Sequence, residues 1–379
     1  MKTLTDIAFD FNGEDTSYLT HSFHPYPAKF PPQLPRHLLS TFSKPGEKVL
    51  DPFCGSGTTL VEARLQGIHS TGVDINGLAC LLSKVKATPL SCEELQTVAQ
   101  TLQVIEGESF RWQMGKKREV EIPKIEGLAH WFQPNVAEEL AYIRQSILQI
   151  ASSTAGDFLK IVLSAIIVRV SNQESDTRFA AINKNIPDGL TFKLFLERGR
   201  DYLSRMRDFV TLARADAVVC VHNADARQLS FLPDASFDLI ITSPPYANTY
   251  DYYLYHKFRK RWLDIDVQFA QYNEIGSRRE FSSLKKDPEK WIDDLRQCFL
   301  EMRRVLKPRR PGFIVIGDSV IQKKRLKMDE IIADFAPRCG FQVCDVLSSD
   351  LAGHSKLFNP AFTQRGKKEH LILLEKSND

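Results

Sequence analysis

Seven cysteines in 379 residues, at 54, 80, 92, 220, 298, 339 and 344, include no CxxC pair and no histidine at zinc-ligand spacing. This excludes the usual cysteine-built zinc site and a disulfide framework. Scattered thiols with no signal peptide point to a reducing cytoplasm. Long apolar runs are also missing. The longest, residues 158–170, is interrupted by Lys160 and Arg169, well short of the ~20 residues that span a bilayer. It is expected to be a buried helix, and no membrane partner is expected. Charge of one sign is scarce: 50 Lys and Arg face 47 Asp and Glu, a net charge of +3. Any surface for a polyanion must therefore be local. There is no internal repeat and no low-complexity segment. His21, His24 and His37 lie in or near a loop that offers no carboxylate partner, so no metal is expected. What remains is a composition of 43% hydrophobic and 26% charged residues, ordinary for a soluble globular enzyme. The length suits one large domain with an insertion, or two domains.

An α/β rhythm opens and closes the chain. Residues 48–51 (Lys-Val-Leu-Asp) read as a short buried strand, followed by Pro52-Phe53-Cys54-Gly55-Ser56-Gly57-Thr58-Thr59, a glycine turn opening a helix. Gly55 and Gly57 let backbone amides approach a ligand at the helix N-terminus. No lysine follows Gly57, which argues against a nucleotide P-loop. A second strand over 70–76 carries Asp74, twenty-three residues after Asp51. That is near the spacing at which an acid meets ribose hydroxyls in dinucleotide folds, so a nucleoside-bearing cofactor is expected. Asp74 could instead cap the helix beginning near Gly77, and Asp51 could simply hold the glycine loop by accepting its amides.

From about 88 to 215 the rhythm stops. Val136, Leu140, Ile143, Ile147 and Ile150 mark an amphipathic helix, 158–170 a buried one, and 192–214 a third. This block is expected to be a helical insertion (88–215) in an α/β domain formed by 1–87 and 216–379. Gly115-Lys116-Lys117-Arg118 reads as a solvated charge run. Seven polar residues, 172–178, read either as a loop aimed into a cleft or as simple helix termination. Strands are expected again over 217–221, with Asp225 and Ala226 just beyond, and over 237–242, 313–318, 341–346 and 370–375. The strand 237–242 ends abruptly in Ser243-Pro244-Pro245-Tyr246. Two prolines withdraw two N–H donors and leave carbonyls as free acceptors, and Tyr246 adds a flat face. A planar pocket of this kind suits a nucleobase amino group.

Basic residues are interleaved with aromatics over 248–262, including Lys257, Arg259 and Arg261. Such a stretch fits stacking plus phosphate contact, although an aromatic helix packed on the core would look alike. Between 303 and 327 nine Lys or Arg, among them Arg309, Arg310, Lys323, Lys324 and Arg325, accompany one acid, Asp318. This cluster is expected to bracket a strand end on the cleft side. The loop before the last strand adds Lys356 and Arg365.

Taken together, DPFCGSGTT, an acid after strand two, an acid after strand three, and SPPY after strand four resemble the AdoMet-dependent amino-methyltransferases of DNA. The resemblance spans about 20–86 and 216–376. HPYPAKFPP, with Lys29 and Phe30, looks like the family's loop over the methionine end of AdoMet, and LKPRRPGFIVIGDS and HLILLEK are similar to its closing half. It implies a Rossmann-like class I methyltransferase fold with a seven-stranded, mostly parallel sheet whose last strand is inserted antiparallel. It assigns Asp51, Pro52, Phe53, Gly55, Gly57, Thr58 and Thr59 to the cofactor loop and Asp74 with Ile75 to the ribose. Asp225 with Ala226 falls to the adenine, Ser243 adjoins the cofactor, and Ser243, Pro244, Pro245 and Tyr246 form the catalytic turn. Ser at its first position is associated with N4-cytosine, Asp with N6-adenine. A C5-cytosine enzyme would need a nucleophilic cysteine after proline, and no Pro-Cys occurs. The partner implied is duplex DNA with its target base flipped out, and a cognate restriction endonuclease is left open.

Overall fold

The computed structural model describes residues 4, 11, 13–27, 29–249, 251–322, 324–350 and 367–378. Lys323, Lys356 and Arg365 lie outside them. The described residues form the strands β1 (Lys48–Asp51), β2 (His69–Asp74), β3 (Gln173–Ser175), β4 (Arg178–Ala181), β5 (Val219–Asn223), β6 (Leu239–Thr242), β7 (Pro311–Gly317), β8 (Ser319–Ile321), β9 (Lys324–Leu326), β10 (Phe341–Asp350) and β11 (Lys368–Lys376). Seven form one sheet in the order β10-β11-β7-β6-β1-β2-β5. All neighbours within β7-β6-β1-β2-β5 are parallel, and β11 runs antiparallel to both β7 and β10. This is the expected Rossmann-like class I architecture.

Buried, uninterrupted apolar character dictates the central strands. Every residue of β6 is buried, as is nearly all of β7, the pattern of strands covered on both faces. The chain builds outward from β1 through β2 to β5, then returns to the other side of β1 to lay down β6. The strand order therefore reverses between β1 and β6, and the crevice beyond their C-terminal ends is the natural ligand site of such a sheet.

No described residue between 88 and 215 joins the main sheet. The helices Cys92–Gln113, Pro134–Leu148, Ser153–Val170 and Leu190–Leu212 carry that stretch. The first escaped the sequence reading although Ser91 and Glu94 form a complete capping box ahead of it, a start signal legible in the letters. The polar run 172–178 forms most of the hairpin β3–β4, and its Glu174, Ser175 and Asp176 line a cavity separate from the crevice at the strand tips. One apolar core runs from Leu60 and Val61 through Leu78 and Leu82 into Phe158, Phe192 and Phe209, and on to Phe258 and Trp262. The second half of the aromatic and basic stretch after the Pro-Pro turn thus belongs largely to the core: Phe258, Arg259, Lys260 and Trp262 are all buried.

Because Phe158 is fully buried in this shared core, Phe158→Ala is expected to cost about 3–5 kcal/mol. The loss should appear as a lower urea midpoint of the full chain followed by tryptophan fluorescence.

Candidate active site

The two strand tips at the crevice are tied together. Asp51 is buried and its Oδ1 accepts the Thr242 hydroxyl at 2.7 Å and the Phe53 amide at 3.2 Å. Burial pushes its carboxyl up to about 6. Asp51 does not line the cleft; it holds the turn after β1 against the end of β6, the bland alternative the sequence had left open. Gly57 sits at φ +77°, and a Cβ there would lie 2.7 Å from Ser83 Cα. Only glycine fits this turn of the helix Thr58–Leu65. From beneath, the buried Lys86 ammonium donates to Ser56 O at 2.6 Å.

Asp74 at the end of β2 accepts the Gly55 amide at 2.9 Å and the Asn76 amide at 2.8 Å. Burial raises its carboxyl to about 6. It does not cap the next helix: Asn76 does, accepting the Leu78 amide at 3.2 Å. Asp225, past β5, is gripped by the Arg227 guanidinium at 2.6–3.1 Å, and Arg227 also reaches Asp294 at 2.8 Å.

These elements enclose a cleft at the C-terminal end of the sheet. Pro52, Phe53, Gly55, Asp74, Ile75, Asp225, Ala226, Ser243 and Pro245 line it. Nine residues expected at the site from sequence therefore meet around one space. Gly57, Thr58, Thr59, Pro244 and Tyr246 adjoin these residues in sequence but are not among those that line the cleft. The Tyr246 phenol donates to Glu369 Oε1 on β11 at 2.8 Å, which fixes its ring. Lys29 and Phe30 do not reach the cleft. Lys29 donates to His21 O at 3.0 Å and lines a separate cavity, and Phe30 packs on the opposite side of the sheet with Leu34 and Leu38. The residue of that loop in the cleft is Tyr26, stacked on Tyr252 and His256 at ring distances of 5.9 and 5.3 Å and close over Gly55.

Tyr252 and Tyr253, from the aromatic and basic stretch read as fitting stacking, also line the cleft, and the sequence reading missed Asn273 and Glu274 beside them. Nothing local marks Asn273 and Glu274, which lie at the end of the short helix Gln268–Asn273, far along the chain.

The basic candidates separate. Arg259 is buried, donating to Ser164 O at 3.0 Å and paired with Asp176, so it offers nothing to an external phosphate. Arg261 is half-exposed and near Glu126, and Lys257 is half-buried at the start of the helix Lys257–Trp262. Arg309 and Arg310 precede β7, at the end of the sheet away from the cleft, where Arg310 pairs with Glu47 at 2.7 Å. Only the far half of the cluster, Lys324 and Arg325 on the β8–β9 hairpin, follows the cleft end of β7. The Asn248 amide donates to Val320 O there at 2.9 Å, joining the hairpin to the segment after the Pro-Pro turn. The expectation that the whole basic run faces the cleft is thus corrected: strand β7 separates its halves.

A family described as DNA methylase, of N6 and N4 enzymes, matches residues 8–84 and 237–350, just over half of the chain. This chain belongs to that family. Its members are AdoMet-dependent amino-methyltransferases. The chain is 25% identical to the Type II methyltransferase M.MvaI of Kocuria varians over 86% of its own length and 82% of that protein. It is 24% identical to the Type II methyltransferase M.MjaII of Methanocaldococcus jannaschii, covering 83% and 75%. Among solved structures, a Thermus thermophilus protein in complex with S-adenosyl-L-methionine aligns at 20% identity and a TM-score of 0.26, over 41% of this chain and 54% of that one. The family matches fall on the two segments that build the sheet around the switch point, and the helical block 88–215 lies between them.

The groups present fit AdoMet. Gly55 offers a close backbone approach, Asp74 a carboxyl in the cleft wall, and Ile75, Ala226 and Phe53 apolar surface for an adenine. No described helix is long and apolar enough to cross a membrane.

Gly57→Ala should destabilise the turn by roughly 1–3 kcal/mol, from a positive φ and a backbone clash. A lowered melting temperature together with weaker AdoMet binding is the expected readout.

Proposed function

We propose that this methyltransferase acts site-specifically on DNA, transferring the methyl group of AdoMet to the exocyclic N4 amine of a cytosine turned out of the duplex. The observation that carries this reading is Ser243. It stands in the cleft at the C-terminal tip of β6, beside the glycine turn and the two strand-end acids, and serine there is the residue that the family resemblance links to N4-cytosine.

A nucleobase amine is a poor nucleophile because its lone pair is drawn into the ring. Its hydrogens must be accepted while it is oriented, and no strong general base is required. Ser243 Oγ and the Pro244 carbonyl supply acceptors, and the ring of Tyr246, anchored by Glu369, supplies a stacking face worth ~1–3 kcal/mol. The turn's rigidity matters because the task is mainly one of positioning. AdoMet, when bound, supplies an electrophilic methyl group on a sulfonium. Asp74 and Gly55 hold its ribose and methionine side in this reading. Asp225 faces the adenine, its carboxylate oriented by Arg227. The division into an α/β domain (1–87 and 216–379) and a helical unit (88–215) belongs to the same proposal.

Mass spectrometry of nucleosides from DNA incubated with the protein should find N4-methylcytosine; N6-methyladenine alone would transfer the reading to adenine. Ser243→Ala is expected to cut turnover roughly 10²-fold, by analogy with loss of one fixed polar contact in other sites, with AdoMet affinity nearly unchanged. Asp74→Ala should instead weaken AdoMet about tenfold in calorimetry, from the loss of a charged hydrogen-bond acceptor. Arg309→Gln, on the far end of β7, should leave the salt slope of DNA binding as it is. Neutralising Lys324 and Arg325 together should reduce that slope.

A further inference from the structure

Glu274 follows the short helix Gln268–Asn273 and stands in the wall of the cleft that Asp74, Asp225 and Ser243 also line. Its two oxygens are treated differently. Oε1 accepts the Tyr252 amide at 2.8 Å, while Oε2 is buried with no hydrogen-bond partner among the described residues. The charged and titratable groups facing it are Asp251 and Tyr255 from the preceding turn, Lys260 from the helix Lys257–Trp262, and Tyr26 from the N-terminal loop. Lys260 offsets part of the cost through space but makes no hydrogen bond to it: its buried side chain is within Coulombic reach of both Glu274 and Asp74, and its Nζ has no hydrogen-bond partner among the described residues. Burial pushes the Glu274 carboxyl up to about 8.

A half-satisfied buried carboxyl is costly to keep unless something else completes it. Its place in the cleft wall makes a ligand the natural partner. The cofactor of this family is cationic at sulfur, and the molecule left after methyl transfer is a neutral thioether. We propose that Glu274 recognises the positive charge of the cofactor, so that the cleft holds the sulfonium form in preference to the thioether product. The proposal rests on reading this cleft as the AdoMet site.

A nearby cation favours the ionised carboxyl, so binding expels a proton from Glu274 wherever that group starts protonated, below a pH of about 8. Sulfonium affinity should rise with pH up to about 8 and then level, whereas thioether affinity should lack this component. Asp74, raised to about 6, is carried unchanged into a glutamine variant of Glu274, which separates the two. The amine common to both ligands titrates near this range, but it is carried unchanged into a glutamine variant.

The test is calorimetry of the full chain with S-adenosylmethionine and S-adenosylhomocysteine at several pH values between 6.5 and 8.5. Two buffers of different ionisation enthalpy would count released protons. In the wild type, preference for the sulfonium should grow about tenfold for each unit by which the bound carboxyl's pKa falls within the range, with protons released on binding the sulfonium only. Glu274→Gln keeps an oxygen for the Tyr252 amide. It should hold the thioether within about twofold while losing both the pH-dependent preference and the proton release. A wild-type preference that stays constant with pH would overturn the proposal without any variant, as would equal loss of both ligands in a folded Glu274→Gln protein. Wild-type protein that binds neither ligand would overturn the cleft assignment itself.

Discussion

The site depends on a buried hydrogen bond between two strand tips. Asp51 closes β1 and Thr242 closes β6, and the bond between them spans the place where the strand order reverses. On one side of it the chain turns into Pro52-Phe53-Cys54-Gly55, on the other into Ser243-Pro244-Pro245. A cofactor turn and a Pro-Pro turn, almost two hundred residues apart in sequence, are thereby held in one register. Asp51 bears a cost for this, since burial disfavours its ionised form, and the hydroxyl and amide it accepts offset that cost.

Around this pair the cleft is walled by segments from distant parts of the chain. Tyr26 arrives from the N-terminal loop, which is itself tied down where buried His21 meets Glu62 at 2.8 Å, with the exposed Arg36 reaching the same carboxylate at 3.1 Å. Tyr252, Tyr253, Asn273 and Glu274 arrive from the short helices after the Pro-Pro turn. Those helices are anchored by Phe258 and Trp262 in the core that also holds the helical block. The helical block therefore bears on the site through packing: it gives the wall something rigid to lean on.

Electrostatically the cleft is acidic, while the nearby surface is mixed. Asp74 and Glu274 are both raised by burial, an arrangement suited to a ligand that brings positive charge. The basic residues that sequence grouped into one run are divided by the length of β7. Arg310 and Lys307 neutralise Asp238 at the N-terminal edge of the sheet. Arg325 neutralises Asp318 at the other end with an Nε contact of 3.0 Å. A charge count along the chain does not survive folding, because a strand of seven residues puts its two ends on opposite edges of the molecule.

By itself the sequence determined the sheet, the glycine turn, the acids at the ends of β2 and β5, and the Ser-Pro-Pro-Tyr turn. Each is written in short-range patterning: apolar runs ended by Gly, Pro or Asp fix local backbone geometry whatever lies elsewhere. It also carried the helix Cys92–Gln113 in the Ser91 to Glu94 capping box, which the reading passed over. Tertiary structure decided the rest. Whether Arg259 meets solvent or Ser164, whether Asp51 binds a ligand or Thr242, and whether Tyr26 or Lys29 enters the cleft all depend on contacts between residues far apart in the chain. The same is true of Glu274, an ordinary acid in sequence, which becomes a buried, half-satisfied carboxyl only when the N-terminal loop, β2 and the segment after β6 close around it.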